Sequence, residues 1–201
     1  HHELFRLTSE VPGDIVELGV FKGAGLFTWA NLLEAYNIGD RTKVVFGFDN
    51  WKGFTGFDSE DGSQNADAHK VVGGFDPSDS YQSLLKAIEI FDRDRFIGQK
   101  PRIKLVNGQI EETVPKFIEE NPGIRISLAH FDCDLFAPTL KALEALWSRV
   151  SRGGVLIFDE YAIPDWPGET AAVDKFLEKI PGARLKTFDW TNTPGAYLIK
   201  S

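Results

Sequence analysis

Gly13-Asp14-Ile15-Val16-Glu17-Leu18-Gly19-Val20-Phe21-Lys22-Gly23-Ala24-Gly25 decides how this chain folds. Apolar Ile15, Val16 and Leu18 run into three closely spaced glycines and then into the amphipathic stretch Leu26–Tyr36. That order reads as a buried strand, a tight turn that exposes backbone, and a helix. Glycines in such a turn permit positive φ and let a ligand approach the main chain. The spacing fails the dinucleotide fingerprint G-x-G-x-x-G: counted from Gly19 it meets Phe21 and Ala24, and counted from Gly23 it meets Thr28. A pyrophosphate is therefore not the ligand this turn most directly suits.

Outward from this unit, strands and helices alternate. Residues 1–10 predict a helix leading in, and Lys43–Asp49 a second strand ending in an acid. Ser80–Phe96 carries Leu84, Leu85, Ile88 and Phe91 at helical spacing, followed by a strand at Arg102–Val106 and a helix at Ile110–Glu120. Ile124–Phe131 predicts a fourth strand, Pro138–Val150 a helix, Val155–Phe158 a fifth strand and Ala171–Ile180 a last helix. Arg184–Trp190 and Ala196–Lys200 predict a closing antiparallel hairpin. The fold class is α/β: a Rossmann-like, mostly parallel seven-stranded sheet in one domain over residues 1–201. Residues 55–79 stand apart as a polar loop rich in Gly, Asp, Ser and Asn. Loops longer than ~12–15 residues are uncommon in compact domains and are often binding loops or lids. This one is expected to be mobile without ligand and to order over a site.

Composition narrows the partners. A net charge of −8 argues against a nucleic-acid or anionic-membrane surface. No apolar run approaches the ~20 residues of a membrane span. The single cysteine, Cys133, can make no internal disulfide, as expected of a cytoplasmic protein. A homo-oligomer stays open.

Open parallel sheets bind ligands beyond the carboxyl ends of their strands, and this chain places acids at four such ends: Glu17, Asp49, Asp132 and Asp159. Asp49 is positioned to read ribose hydroxyls, and Gly108-Gln109 to flank an adenine. Adjacent strands lie ~5 Å apart, so neighbouring fourth and fifth strands would bring Asp132 and Asp159 together, joined by Glu160 or Asp134. Such a cluster needs a cation, a shared proton or solvent. Its all-oxygen chemistry suits Mg²⁺, and no Cys/His set with zinc spacing exists.

E-x-G-x-x-x-G-x-G at Glu17–Gly25 resembles the first motif of class I S-adenosylmethionine (SAM) methyltransferases. Four further stretches join Gly13–Gly23 in resembling the macrocin O-methyltransferase family: Phe48–Phe54, Phe131–Phe136, Gly153–Tyr161 and Pro167–Phe176. The resemblance implies a SAM- and Mg²⁺-dependent O-methyltransferase acting on a hydroxyl of a sugar or glycosylated natural product. It implies cofactor binding by Glu17, Gly19, Gly23, Asp49, Gly108 and Gln109, and metal ligation by Asp132, Asp159 and Glu160, with Asp132 also the base. The family's usual Asp-Asp pair is here Asp159-Glu160, and the lysine base of catechol-type relatives is replaced by Leu135. Family members also tend to carry N-terminal helices that cover the substrate, a region expected to be missing here. The competing readings are a non-catalytic SAM- or nucleotide-binding module and a nucleotide-dependent oxidoreductase.

Overall fold

A computed structural model describes residues 1–201. Seven strands form one sheet in the order β3-β2-β1-β4-β5-β7-β6. They are β1 (Asp14–Leu18), β2 (Val45–Asp49), β3 (Ile103–Asn107), β4 (Ile126–Phe131), β5 (Val150–Phe158), β6 (Leu185–Lys186) and β7 (Ala196–Ile199). β1 to β5 pair in parallel, and β7 lies antiparallel to both β5 and β6. The mostly parallel sheet with a closing antiparallel hairpin is the expected architecture.

Alternation along the strands divides the core into two layers. Val16, Leu18, Phe131 and Phe158 face one side, against α4 (Ile110–Glu120), α5 (Phe136–Leu146) and α6 (Pro167–Leu177). Ile15, Val45, Leu128 and Ile157 face the other, against α1 (His2–Leu7), α2 (Ala24–Tyr36) and α3 (Tyr81–Asp94). No helix is long and apolar enough to cross a membrane.

α5 and α6 begin two and four residues earlier than the sequence reading has them, and two strands differ as well. β5 starts at Val150, five residues early, and its register with β4 slips between Ile126 and Leu128. Gly153, at φ 81°, lies in the slipped stretch, where polar Ser151-Arg152 and two glycines hide the strand from an apolar pattern. β6 shrinks to Leu185–Lys186, paired with Leu198 and Tyr197 of β7 alone.

Candidate functional site

The strand order reverses between β1 and β4, the point where a doubly wound sheet opens a crevice. A cavity of about 550 Å³ lies there. Gly19, Asp49, Gly108, Gln109, Asp132 and Glu160 all line it. Gly19 stands at φ 90°, and a Cβ on it would come within 1.7 Å of the Asp132 carbonyl oxygen. Only glycine lets the turns after β1 and β4 touch.

Asp49 does structural work before any ligand arrives. Its Oδ2 accepts from the backbone N–H groups of Val20 (2.9 Å) and Phe21 (2.8 Å), and its Oδ1 from Trp51 N–H (2.7 Å). An ionised carboxylate has about four lone-pair sites, so roughly one stays open to a ligand hydroxyl. Gly108 donates its N–H to the Asp49 carbonyl at 3.0 Å, and the Gln109 side chain donates to Thr55 Oγ1 at 3.0 Å. The first two crossover turns are thus tied together.

Glu17, Gly23 and Asp159 do not line the cavity. Glu17 shares its sheet face with Ile15, and its register partner on β4 is His130. His130 Nδ1 lies 3.4 Å from Glu17 Oε1, and its Nε2 lies 3.6 Å from Asp159 Oδ1. These are close charge contacts, too long to be good hydrogen bonds. Burial pushes Glu17 up to about 7 against the pull of His130. On His130, burial works downward, but Asp159 and Glu17 outweigh it and hold the imidazolium up to about 10. The Glu17 carboxylate also lies against the first turn of α2, where a Cβ on Gly25 would be 1.9 Å from Oε1. Gly23, at φ 93°, begins α2 and packs under Leu84 of α3.

The acidic cluster has a different membership from the one expected. Ligand oxygens of Asp132, Asp134 and Glu160 lie within 4.8 Å of one another, without Asp159. Asp134 reaches the cluster because its backbone adopts φ 63°, turning the chain sharply after β4. Asp159 keeps the parity of Ile157 and so stays beside His130. Burial raises all three cluster carboxyls: Asp132 to about 6, Asp134 to about 7 with help from the charge of Asp132, and Glu160 to about 12 with help from Asp134. Glu160 Oε2 is buried without a partner. A convergent, desolvated oxygen set with an orphaned oxygen fits a hard divalent cation. Glu169, fully buried on α6, accepts the Glu160 N–H at 2.9 Å and fixes that residue's backbone. The Pro167–Phe176 stretch held the only sequence signal for Glu169.

An aromatic wall completes the cavity. Phe54 meets Phe57, Phe75 and Trp166 at ring distances of 5.5, 5.7 and 5.6 Å. Phe57 and Phe75 come from the long polar loop, Phe54 immediately precedes it, and Trp166 stands just before α6. Asp61 is buried and accepts from Phe136 N–H at the start of α5 (2.7 Å) and from Asp58 N–H (2.7 Å). Lys70 is fully buried; its Nζ donates to the Asp165 carbonyl at 2.7 Å and sits 4.9 Å over the Trp166 ring. These buried anchors tie the loop to the start of α5 and to the turn before α6.

Residues 6–193 match the family described as Macrocin-O-methyltransferase (TylF). Among curated relatives, Mycinamicin III 3''-O-methyltransferase of Micromonospora griseorubida is 28% identical over 79% of this chain and 59% of its own length. The 8-demethyl-8-(2,3-dimethoxy-alpha-L-rhamnosyl)-tetracenomycin-C 4'-O-methyltransferase of Streptomyces olivaceus is 29% identical over 78% of this chain and 56% of its own. The chain thus spans less than two thirds of the curated relatives it matches. The calicheamicin methyltransferase CalS11 superposes with TM-score 0.89 at 34% identity, covering 98% of this chain and 76% of that one. Its apo form, described as a TDP-rhamnose 3'-O-methyltransferase, gives 0.77 at 33%, with 98% and 75% covered. The sheet order and these neighbours make the fold that of the class I SAM methyltransferases.

Proposed function

The chain belongs to the macrocin-O-methyltransferase family, and on that premise we propose that it methylates a hydroxyl of a sugar or glycosylated natural product. The methyl donor is S-adenosylmethionine, with Mg²⁺ at the acidic cluster. The observation that carries this reading is one cavity holding the Gly19 turn, Asp49 and Gly108-Gln109 together with three convergent carboxylates.

Gly19, Asp49, Gly108 and Gln109 would hold the cofactor, with Asp49 offering its remaining acceptor site to a ribose hydroxyl. Glu17 and Gly23 shape the turn from behind instead of touching the cofactor. Asp132, Asp134 and Glu160 would hold the metal, and Asp159 would brace them through His130. When bound, Mg²⁺ supplies Lewis-acid polarisation that lowers the pKa of an alcohol beside it. Asp132, adjoining the Gly19 turn, is the carboxylate that takes the acceptor's proton. The aromatic wall excludes water and orients the acceptor for in-line attack, which is where most of the rate advantage would arise.

The test is methyl transfer from labelled SAM to a panel of glycosides, with Mg²⁺ and with chelator. Product that forms with the metal and disappears with chelator is expected. SAM binding without transfer to any acceptor would favour the non-catalytic module, and transfer indifferent to chelator would remove the metal from the reading.

A further inference from the structure

Both ring nitrogens of His130 are buried without a hydrogen bond, and so is Glu17 Oε2 beside them. No other side chain leaves two such atoms unpaired. We infer that His130 is a positioning residue that couples the cofactor turn to the cation cluster, so that each ligand tightens the other's binding. The inference rests on the methyl-transfer reading above, with its metal.

The ring lies between two carboxylates and bonds to neither. Glu17 Oε1 is 3.4 Å from Nδ1 and Asp159 Oδ1 is 3.6 Å from Nε2, beyond the ~2.7–3.2 Å of a full N–H···O bond. The acids approach from opposite sides, Glu17 on β1 and Asp159 just past β5, with His130 on β4 between them. Backbone bonds fix the frame: Asp132 N–H donates to the Leu18 carbonyl at 2.8 Å, and Asp159 N–H to the Phe131 carbonyl at 3.1 Å. Within that frame the side chain is the adjustable part. Trp29 and His1 cross the ring at 5.6 and 5.1 Å between centres, packing it without bonding it. A shift of about half an ångström toward one acid completes a bond there and widens the gap to the other. Because an unpaired buried donor is costly, the ring gains by committing to one side once the other lets go.

Each acid belongs to a different half of the site. Glu17 packs behind the Gly19 turn, with its carboxylate against the first turn of α2 at Gly25. Asp159 immediately precedes Glu160, one of the three cluster carboxylates. A cation on Asp132, Asp134 and Glu160 also attracts the Asp159 carboxylate, since opposite charges interact strongly where water is excluded. Asp159 then loosens its hold on the ring, and His130 closes on Glu17. That bond steadies the start of α2 and the turn on which the cofactor rests. From the other end, a cofactor seated on the turn fixes Glu17 and draws the ring to it, which frees Asp159 to support the cation. Coupling of this kind needs an element with two positions that both ligands bias, and His130 is that element. Linkage makes the two effects equal in size.

Calorimetry on the full chain measures S-adenosylhomocysteine affinity with and without Mg²⁺, and Mg²⁺ affinity with and without S-adenosylhomocysteine. The demethylated cofactor is chosen because it has no sulfonium charge to repel the metal. Each ligand is expected to tighten the other by the same factor, about five-fold or more. His130→Gln keeps a polar group at the position but offers one amide in place of two opposed nitrogens. It should hold each ligand alone to within about three-fold of the wild type, and the mutual gain should fall below about two-fold. A gain that survives His130→Gln overturns the inference. Should that variant fail to fold, Glu17→Gln weakens the same link from the cofactor side; the gain should be lost there too, and its survival overturns the inference equally. Two ligands that both bind the wild type without affecting each other overturn this inference alone. A wild-type chain that binds no Mg²⁺ removes the metal from the methyl-transfer reading and this inference with it.

Discussion

Replacing His130 with leucine would leave the buried Glu17 and the partly buried Asp159 with no opposite charge between them. Breaking a buried ion pair from one side costs about 3–5 kcal/mol, so His130→Leu should lower the urea midpoint sharply. Adding Glu17→Leu to that variant should recover part of the loss, because the desolvated charge is removed as well; no recovery would mean the cluster is not electrostatically coupled. Asp49→Ala should weaken SAM binding by about 1–3 kcal/mol, as charge-assisted hydrogen bonds are lost. It should also destabilise the ligand-free protein, since Asp49 holds three backbone N–H groups there, and melting curves would show this. At this scale the sequence was legible in part. Asp132 and Glu160 could be read from their place after apolar strands. His130 could not, because its partners come from β1 and β5 and meet only through the sheet register. Asp134 was legible as a candidate member of the cluster, but the turn at positive φ that brings it there could not be read.

Among the elements, the loop between β2 and α3 has the contacts least visible in its composition. A polar composition suggests mobility, but the anchors are single residues whose partners lie on distant stretches: Asp61 on the start of α5 and Lys70 on Asp165. Hydrogen exchange should therefore find parts of residues 54–76 protected in the ligand-free protein. Asp61→Ala leaves the Phe136 N–H without its acceptor and should cost about 1–3 kcal/mol. Exchange around Phe54 and Phe75 should speed up in the same variant. Unchanged exchange would show that the wall stands without this anchor. Gly168 supports the same junction: a Cβ there would lie 2.1 Å from Asp61 Oδ1, so Gly168→Ala should loosen the loop in the same direction.

Over the whole molecule, the acidic cluster trades stability against chemistry. Asp134→Asn relieves repulsion among Asp132, Asp134 and Glu160, and should keep or raise the metal-free melting temperature while abolishing Mg²⁺-dependent transfer. Asp159→Asn should be the milder lesion for metal affinity, because Asp159 lies outside the cluster. The reverse ranking in magnesium titrations would restore the set expected from sequence. Magnesium should raise the wild-type melting temperature with concentration, as for any ligand that binds only the folded state. The strand order carries a consequence of another kind. β7 fills the gap between β5 and β6, so residues 196–199 must reach the interior of the sheet after both flanking strands have been made. Until then the nascent chain has an open seam beside β5, its longest strand. A ribosome paused just before residue 196 would display a sticky sheet edge to its surroundings, and such arrested chains should recruit chaperones far more strongly than chains paused after residue 199 has emerged.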